Sequence, residues 1–201
     1  MKTLLSLSCL FLVNLLYGQT DSALQRRIDS LYTIDQQVQT DMIAAYQRSA
    51  PQAVRDSLEV VKTATFVRQV VVLKEIISVK GLPTYRLVGK TSSDQFLTLV
   101  NHSISDIPFQ ERVASLAKRE VKRKNISAPA LAMMIDKMRI NSNRQQLYGS
   151  QLGYDSTGTA FAVNLYKLKG VDKRRKKMGL PPLQEYLEMV TSLHREMNKK
   201  K

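Results

Sequence analysis

The sequence predicts a mainly α-helical protein of about six helices with a small β-hairpin. Three observations lead to this fold class. Apolar residues recur three, four or seven positions apart over most of the 201-residue chain. This period is lost over residues 145–165, where Gly, Tyr and alternating polar residues favour a hairpin. Hydrophobic residues make up 43% of the chain, with 8 Gly and 6 Pro, which excludes disordered and low-complexity classes.

The first residues, Met1–Gly18, have the composition of a cleaved signal peptide. Lys2 supplies a positive charge, Leu4 to Leu16 is an apolar stretch, and Gly18 is a small residue suited to the cleavage site. The apolar stretch is too short to form a stable membrane anchor, and a polar Asn interrupts it. We therefore expect the protein to be exported, to the periplasm or the extracellular space.

The remaining residues, 19–201, are expected to form one helical domain. Helices are predicted over residues 21–46, from 51 to 80, from Ser92 or Ser93, from Asp106 and from Ser127. The Val-rich centre of the second predicted helix could also be a buried strand, but its length favours a helix. Between the second and third helices, residues 81–89 contain Gly and Pro and predict turns.

The hairpin and two further helices complete the predicted fold. The first strand is predicted over Gln145–Leu152, the turn over Gly153–Gly158 and the second strand over Thr159–Leu165. Asp172 is then expected to cap a short helix that ends at Gly179. A Pro-rich turn leads into a last amphipathic helix.

Charge and side-chain inventory limit the function. The chain has 31 Lys and Arg against 17 Asp and Glu, a net charge of +14, with most of the excess in residues 110–124 and 165–201. One Cys excludes a disulfide scaffold and a thiolate zinc site, and two His leave no credible metal site, so we predict no metal and no cofactor. Nucleic acid is disfavoured, since aromatic residues do not interleave the basic runs. We expect an unidentified polar or anionic small molecule, or an envelope polymer, as partner, and no transmembrane segment after the signal peptide.

Short motifs follow one another in order along residues 76–187. They are Gly81-Leu82-Pro83-Thr84, Val88-Gly89, Asn101-His102, Asp136-Lys137, Gln146-Leu147-Tyr148-Gly149-Ser150-Gln151 and Val171-Asp172-Lys173-Arg174-Arg175. Their order and spacing resemble a bacterial domain-of-unknown-function family marked by Gly-x-Pro-Thr, Gln-His, Asp-Arg and Gln-x-Tyr-Gly-Thr-Gln. The resemblance implies no activity and no catalytic residue. Lys137 is the main departure, because a guanidinium can grip a carboxylate in a way that an ammonium cannot.

His102 is the first candidate for a catalytic residue. On a helical wheel it lies opposite the apolar face formed by Phe96, Val100 and Ile104. It is therefore either a surface histidine or a pocket histidine that faces the hairpin. In a pocket, the imidazole would act as a general acid or base or would bind an anion.

Asp136 is the second candidate. It lies off the apolar face of the fifth predicted helix. It could form a surface pair with Arg139 or, alternatively, orient His102 and bind substrate. With His102 as acid or base and Asp136 as the orienting carboxylate, the protein would be a hydrolase, which is the alternative function.

The first predicted strand is the candidate binding element. In an extended segment, Gln146, Tyr148 and Ser150 share one face, which could bind a sugar, an amide or a carboxylate. The same groups could instead form an internal network between the hairpin and the helices. The favoured interpretation is a ligand-binding or interaction module of the cell envelope. Its predicted ligand-binding residues are Gln146, Tyr148, Ser150, Gln151, Arg174 and Arg175.

Overall fold

The computed structural model describes residues 20–199, so the predicted signal peptide Met1–Gly18 lies outside the described residues. Within them the chain forms seven α-helices and one two-stranded antiparallel sheet, which confirms the mainly α prediction. In chain order the elements are α1 Ser22–Gln47, α2 Gln52–Lys80, α3 Tyr85–His102, α4 Ile107–Lys122, α5 Ala128–Asn141, β1 Leu152–Tyr154, β2 Ala160–Ala162, α6 Val171–Lys177 and α7 Leu183–Lys199.

The two longest helices, α1 and α2, pack against each other, and α1 also packs on α3. Asp21 caps α1, because its Oδ1 accepts the N–H of Leu24 at 2.9 Å. Pro51 immediately precedes α2, where its fixed φ suits the entry into a helix. The Val-rich centre of α2 is helical throughout, so the buried-strand alternative is wrong.

Helix α3 begins earlier than predicted and is kinked at Gly89. A first helical turn precedes Gly89, whose φ of 74° and ψ of 167° interrupt the helix in a region that glycine adopts readily. The predicted capping residues Ser92 and Ser93 therefore lie inside α3. Their hydroxyls donate outside the helix, Ser92 to Asp29 at 2.5 Å and Ser93 to the Pro83 carbonyl at 2.8 Å.

Helices α4 and α5 begin where the sequence predicts. The Asp106 carboxylate accepts the N–H of Phe109 at 3.0 Å, and the Ser127 hydroxyl accepts the N–H of Ala130 at 3.2 Å. The apolar faces of α1 to α5 share one core. Its fully buried side chains include Ile28, Leu73, Ile76, Val88, Phe96, Leu97, Val100, Val113, Leu131 and Met134.

The hairpin is present but shorter than predicted. β1 pairs with β2 in the register Gly153 to Phe161, and residues 145–151 form a bent loop rather than the predicted strand. Gly149 turns this loop with a φ of 72°. A Cβ at Gly149 would also lie 2.8 Å from Leu183 Cδ1, so α7 approaches the loop too closely for a side chain there.

Asp172 joins α6 to α7 instead of capping α6. Gly170 is the N-cap residue of α6, and Asp172 lies in its first turn. The Asp172 Oδ1 accepts the N–H of Leu183, the first residue of α7, at 2.7 Å. The predicted cap of α6 is therefore wrong, because this carboxylate satisfies a donor of the following helix.

Asp106 is expected to make the stability of α4 depend on pH in the acid range. The hydrogen bond from Lys74 lowers the pKa of Asp106, and the N–H of Phe109 acts in the same direction. Since the folded pKa lies below the unfolded value of about 3.9, this stabilisation is present above that value and is lost as pH falls through the folded pKa.

The substitution Asp106→Asn tests this dependence. Asparagine is also a good N-cap, so it should retain the cap but lose the charge. The difference in free energy of unfolding from the wild-type protein, measured by urea denaturation, should shrink as pH falls from about 6 to 2. Lys74→Gln removes the hydrogen bond that lowers the pKa of Asp106, so the free energy of unfolding of this variant should depend less on pH than that of the wild-type protein. A difference that stays constant over this range would contradict the role of the charge.

Candidate functional site

Asp136 is fully buried on α5 and binds the loop of residues 146–151. Its Oδ1 accepts the N–H of Leu147 at 2.7 Å and of Tyr148 at 3.1 Å. Its Oδ2 accepts the N–H and the hydroxyl of Ser150, both at 3.0 Å. A carboxylate with so many donors is satisfied without a cation beside it. Asp136 therefore shapes this loop.

This geometry explains why residues 145–151 are not a strand. Successive N–H groups of a strand point in opposite directions, whereas those of Leu147, Tyr148 and Ser150 converge on one carboxylate. Arg139 does not take the predicted surface pair with Asp136, since its Nε donates to the Gln145 carbonyl at 2.5 Å.

Gln146 closes the same loop from within. It is fully buried, and its Nε2 donates to the carbonyls of Gln151, at 2.8 Å, and Val163. Its Oε1 accepts the N–H of Gln151 at 2.9 Å. The amide is therefore occupied by backbone groups of the protein itself, as expected for the internal-network alternative.

Arg174 and Arg175 bind the carbonyl groups of this loop. Arg174 Nε donates to the Leu147 carbonyl at 2.7 Å, and Arg175 Nη1 donates to the Tyr148 carbonyl at 2.6 Å. Arg175 is 1% exposed and lies over the ring of Tyr186, with 4.9 Å from its Cζ to the centroid. Burial lowers the pKa of Arg175 and raises the pKa of Tyr148. Both arginines are thus directed toward the protein backbone.

His102 lines a different feature, a cleft of about 360 Å³ beside the end of α3. Helices α1, α2, α3 and α5, the α3–α4 connection and the loop of residues 146–151 all contribute to it. Its polar lining includes Gln39, Lys62, Ser105, Lys137 and Gln151, and its apolar lining is Phe66, Val67, Ile104 and Met133. Ile104, expected on the apolar face of the third helix, follows the end of α3 and is 52% exposed.

Asp35, which the sequence analysis missed, is the carboxylate beside His102. The His102 Nδ1 lies 2.9 Å from Oδ1 and 3.0 Å from Oδ2 of Asp35, which is fully buried on α1. The Gln39 amide nitrogen lies 3.3 Å from Asp35 Oδ2, and Phe66 stacks on the imidazole with 5.4 Å between ring centroids. Because carboxylate oxygens accept the proton at Nδ1, this contact favours the tautomer whose lone pair is at Nε2, and the Gln39 amide nitrogen lies 3.4 Å from that atom.

The sequence does hold a signal for Asp35. The apolar face of α1 contains Leu24, Ile28, Leu31 and Met42, and Asp35 occupies the position one turn after Leu31. A charged residue on the apolar face of a helix loses its contact with water when that face is buried. The loss costs free energy unless a polar partner in the protein compensates the charge. That position therefore predicts a polar contact inside the protein.

Three of the sequence motifs meet at the cleft. Asn101 and His102 come from α3, Lys137 from α5 and Gln151 from the end of the loop. Asp136 and Lys137 are adjacent on α5 and so point about 100° apart, which directs Asp136 to the loop and Lys137 to the cleft. Of the predicted site residues, His102 and Gln151 line the cleft, whereas Tyr148 packs against the core.

A family model matches nearly all of the described chain. The model of a family of unknown function, DUF6624, matches residues 22–195. The chain belongs to this family. The DUF6624 match begins with α1 and so includes Asp35, which precedes the residues 76–187 of the motif resemblance. No curated protein and no solved structure matches the chain significantly.

Two properties of residues 20–199 concern membrane spans and metal binding in this DUF6624 member. No helix in this part of the chain is long and apolar enough to cross a membrane. In the same residues no group of three His, Cys, Asp or Glu side chains could hold a metal ion.

Asp136→Asn is expected to destabilise the protein by about 3 kcal/mol, since an amide keeps one acceptor oxygen and turns an N–H₂ group toward the loop donors. Urea denaturation at neutral pH measures this loss. The matched control is Asp56→Asn on the exposed face of α2, which should change the stability by no more than about 0.5 kcal/mol. A loss for Asp136→Asn as small as that of the control would contradict the structural role.

Proposed function

We propose that this protein is an exported binding protein of the cell envelope and that a small polar or anionic molecule occupies the cleft at His102. One observation carries the proposal: the imidazole held by the buried Asp35 is 21% exposed and lines a cleft that Lys137 and Gln151 also line. Concave clefts with a few convergent polar groups are the usual form of small-molecule sites.

This proposal moves the ligand away from the polar face of the predicted strand. The polar atoms of Gln146, Arg174 and Arg175 that would have faced a ligand are bonded to the protein backbone. The Ser150 hydroxyl donates to Asp136. These residues therefore serve as scaffold, and His102 and Gln151 remain as ligand contacts.

Hydrolysis is the second candidate function. A carboxylate on Nδ1 orients an imidazole and stabilises its protonated form, so that Nε2 can take a proton from a nucleophile and return it to a leaving group. In this candidate Asp35 has the orienting role that the sequence analysis assigned to Asp136. The contact of 2.9 Å between Asp35 and His102 is the observation that favours it.

The two histidines of the chain provide the test. The ring signals of His102 and His194 can be followed by NMR while a library of small polar and anionic fragments is added. Fragments that bind in the cleft should shift the His102 signals, and His102→Asn should weaken their binding about tenfold. The control His194→Asn should leave binding unchanged, because His194 stacks on Tyr154 outside the cleft. A library that never shifts His102 would contradict the proposal.

Product analysis of the same samples separates the two functions. For a binding protein, the bound fragments should be recovered intact. For a hydrolase, the wild-type protein should cleave at least one ester, amide or phosphate, and both His102→Asn and Asp35→Asn should reduce kcat by about 100-fold or more. Cleavage that persists in both variants would contradict a role of this pair in catalysis.

Export has its own test. The proposal rests on the charge, apolar stretch and small residue of Met1–Gly18. When the full sequence is expressed in a bacterial host, the protein recovered outside the cytoplasm should begin at Gln19 or within a few residues of it, as read by N-terminal sequencing. Recovery of the intact chain in the cytoplasm would contradict export.

A further inference from the structure

The cationic groups of the cleft differ in whether a carboxylate accompanies them. Lys62 pairs with Glu59 at 2.7 Å, and His102 lies against Asp35. Lys137 is the third cationic group of the cleft. Within residues 20–199, no carboxylate oxygen lies within 4.0 Å of its Nζ. The positive charge of Lys137 is therefore the one in the described cleft that is available to an anion.

The apolar part of the lining is accessible to solvent. Val67, Ile104 and Met133 are 50%, 52% and 45% exposed, and they share the cleft with the half-buried ring of Phe66. When an apolar group of a ligand displaces water from apolar side chains in a concave surface, the burial of apolar area favours binding. An ammonium beside such a surface suits a molecule that carries both an anionic and an apolar part.

We propose that the ligand of the cleft is an amphipathic anion, a small molecule with one carboxylate or phosphate and one aliphatic group. The Lys137 ammonium pairs with the anionic end, and Phe66, Val67 and Met133 contact the aliphatic end. This inference rests on the proposed function, since it names the ligand class of the same cleft. An ammonium is a point charge, so it accepts carboxylate and phosphate alike.

A series of eight-carbon probes tests the two halves of the proposal. Octanoate, octyl phosphate, octanol and octylamine are titrated below their micelle-forming concentrations, with calorimetry for affinity and the His102 ring signals for location. Octanoate or octyl phosphate should bind at least tenfold more tightly than octanol, and octylamine more weakly than octanol. The better of the two anions identifies the head group. Butyrate, hexanoate and octanoate should gain about fourfold in affinity per CH₂ group.

Variants of exposed and half-buried residues locate the contacts. Lys137→Gln should remove the advantage of octanoate over octanol, and Lys137→Arg should retain it. The control Lys118→Gln, an exposed lysine of α4 outside the cleft, should change neither affinity. Met133→Gln should flatten the chain-length dependence and leave the difference between octanoate and octanol in place.

The outcomes separate this inference from the proposed function. Equal binding of octanol and octanoate, or an unchanged advantage in Lys137→Gln, would overturn the anion assignment while the cleft remains a binding site. If library fragments shift His102 but no eight-carbon probe does, the amphipathic class is overturned and the cleft again stands. Probe binding that shifts His194 and not His102 overturns the assignment to this cleft. If neither fragments nor probes shift His102, both proposals fail.

Discussion

The buried carboxylate of Asp136 fixes the part of the chain that follows α5. The loop of residues 146–151 places several backbone N–H groups away from water, and each needs an acceptor. The Asp136 carboxylate is the acceptor for most of these groups, namely the N–H groups of Leu147, Tyr148 and Ser150. The carbonyls of the same loop go to Arg174 and Arg175 of α6. Both the N–H groups and the carbonyls of this irregular loop are thereby hydrogen-bonded to side chains of the protein.

The negative charges near Arg175 also act on its guanidinium. Burial alone lowers the pKa of Arg175, and the negative charges of Asp172 and Asp136 act against that shift. Asp172 in turn binds the first N–H of α7. The scaffold thus runs from α5 through the loop to α6 and α7, and it places Gln151 in the cleft. Because Lys137 follows Asp136 on α5, the helix that anchors the loop also supplies a cation to the cleft.

The sequence predicts the parts of this protein that depend on local pattern. Helical periodicity and capping residues such as Asp106 and Ser127 locate most of the helices, since both act within one or two turns. The strand predicted over Gln145–Leu152 does not form over residues 145–151, because an alternating pattern does not reveal that a carboxylate 11 to 14 residues before the N–H donors accepts their hydrogen bonds. The basic run Lys173 to Lys177 likewise predicts that Arg174 and Arg175 bind a ligand, whereas Arg175 is buried and its Nη1 donates to the Tyr148 carbonyl, a contact distant in sequence.

The candidate site also contains one residue that local pattern predicts and one that only the tertiary structure identifies. His102 is predicted from its position opposite the apolar face of α3, which is a local property. The identity of its carboxylate is a tertiary property, and sequence reasoning chose Asp136 from the motif instead of Asp35 from α1. The family match over residues 22–195 includes α1, whereas the quoted motifs begin later. A polar residue on the apolar face of α1 was the available signal, since it breaks a period that otherwise predicts the core.

The two buried carboxylates also differ in what they contribute to stability. Asp136 accepts N–H and O–H groups that would otherwise lose their partners, so its charge is compensated by several donors. The Asp35 carboxylate accepts hydrogen bonds from the side-chain amides of Gln36 and Gln39 and contacts the imidazole of His102. Replacement of a buried ionic contact by a well-packed apolar residue is often neutral or stabilising. Leucine at position 35 alone would leave the imidazole of His102 and the amides of Gln36 and Gln39 without this acceptor, so Asp35 also contributes to stability through its partners. The same carboxylate fixes the orientation of the imidazole of His102 at the edge of the cleft.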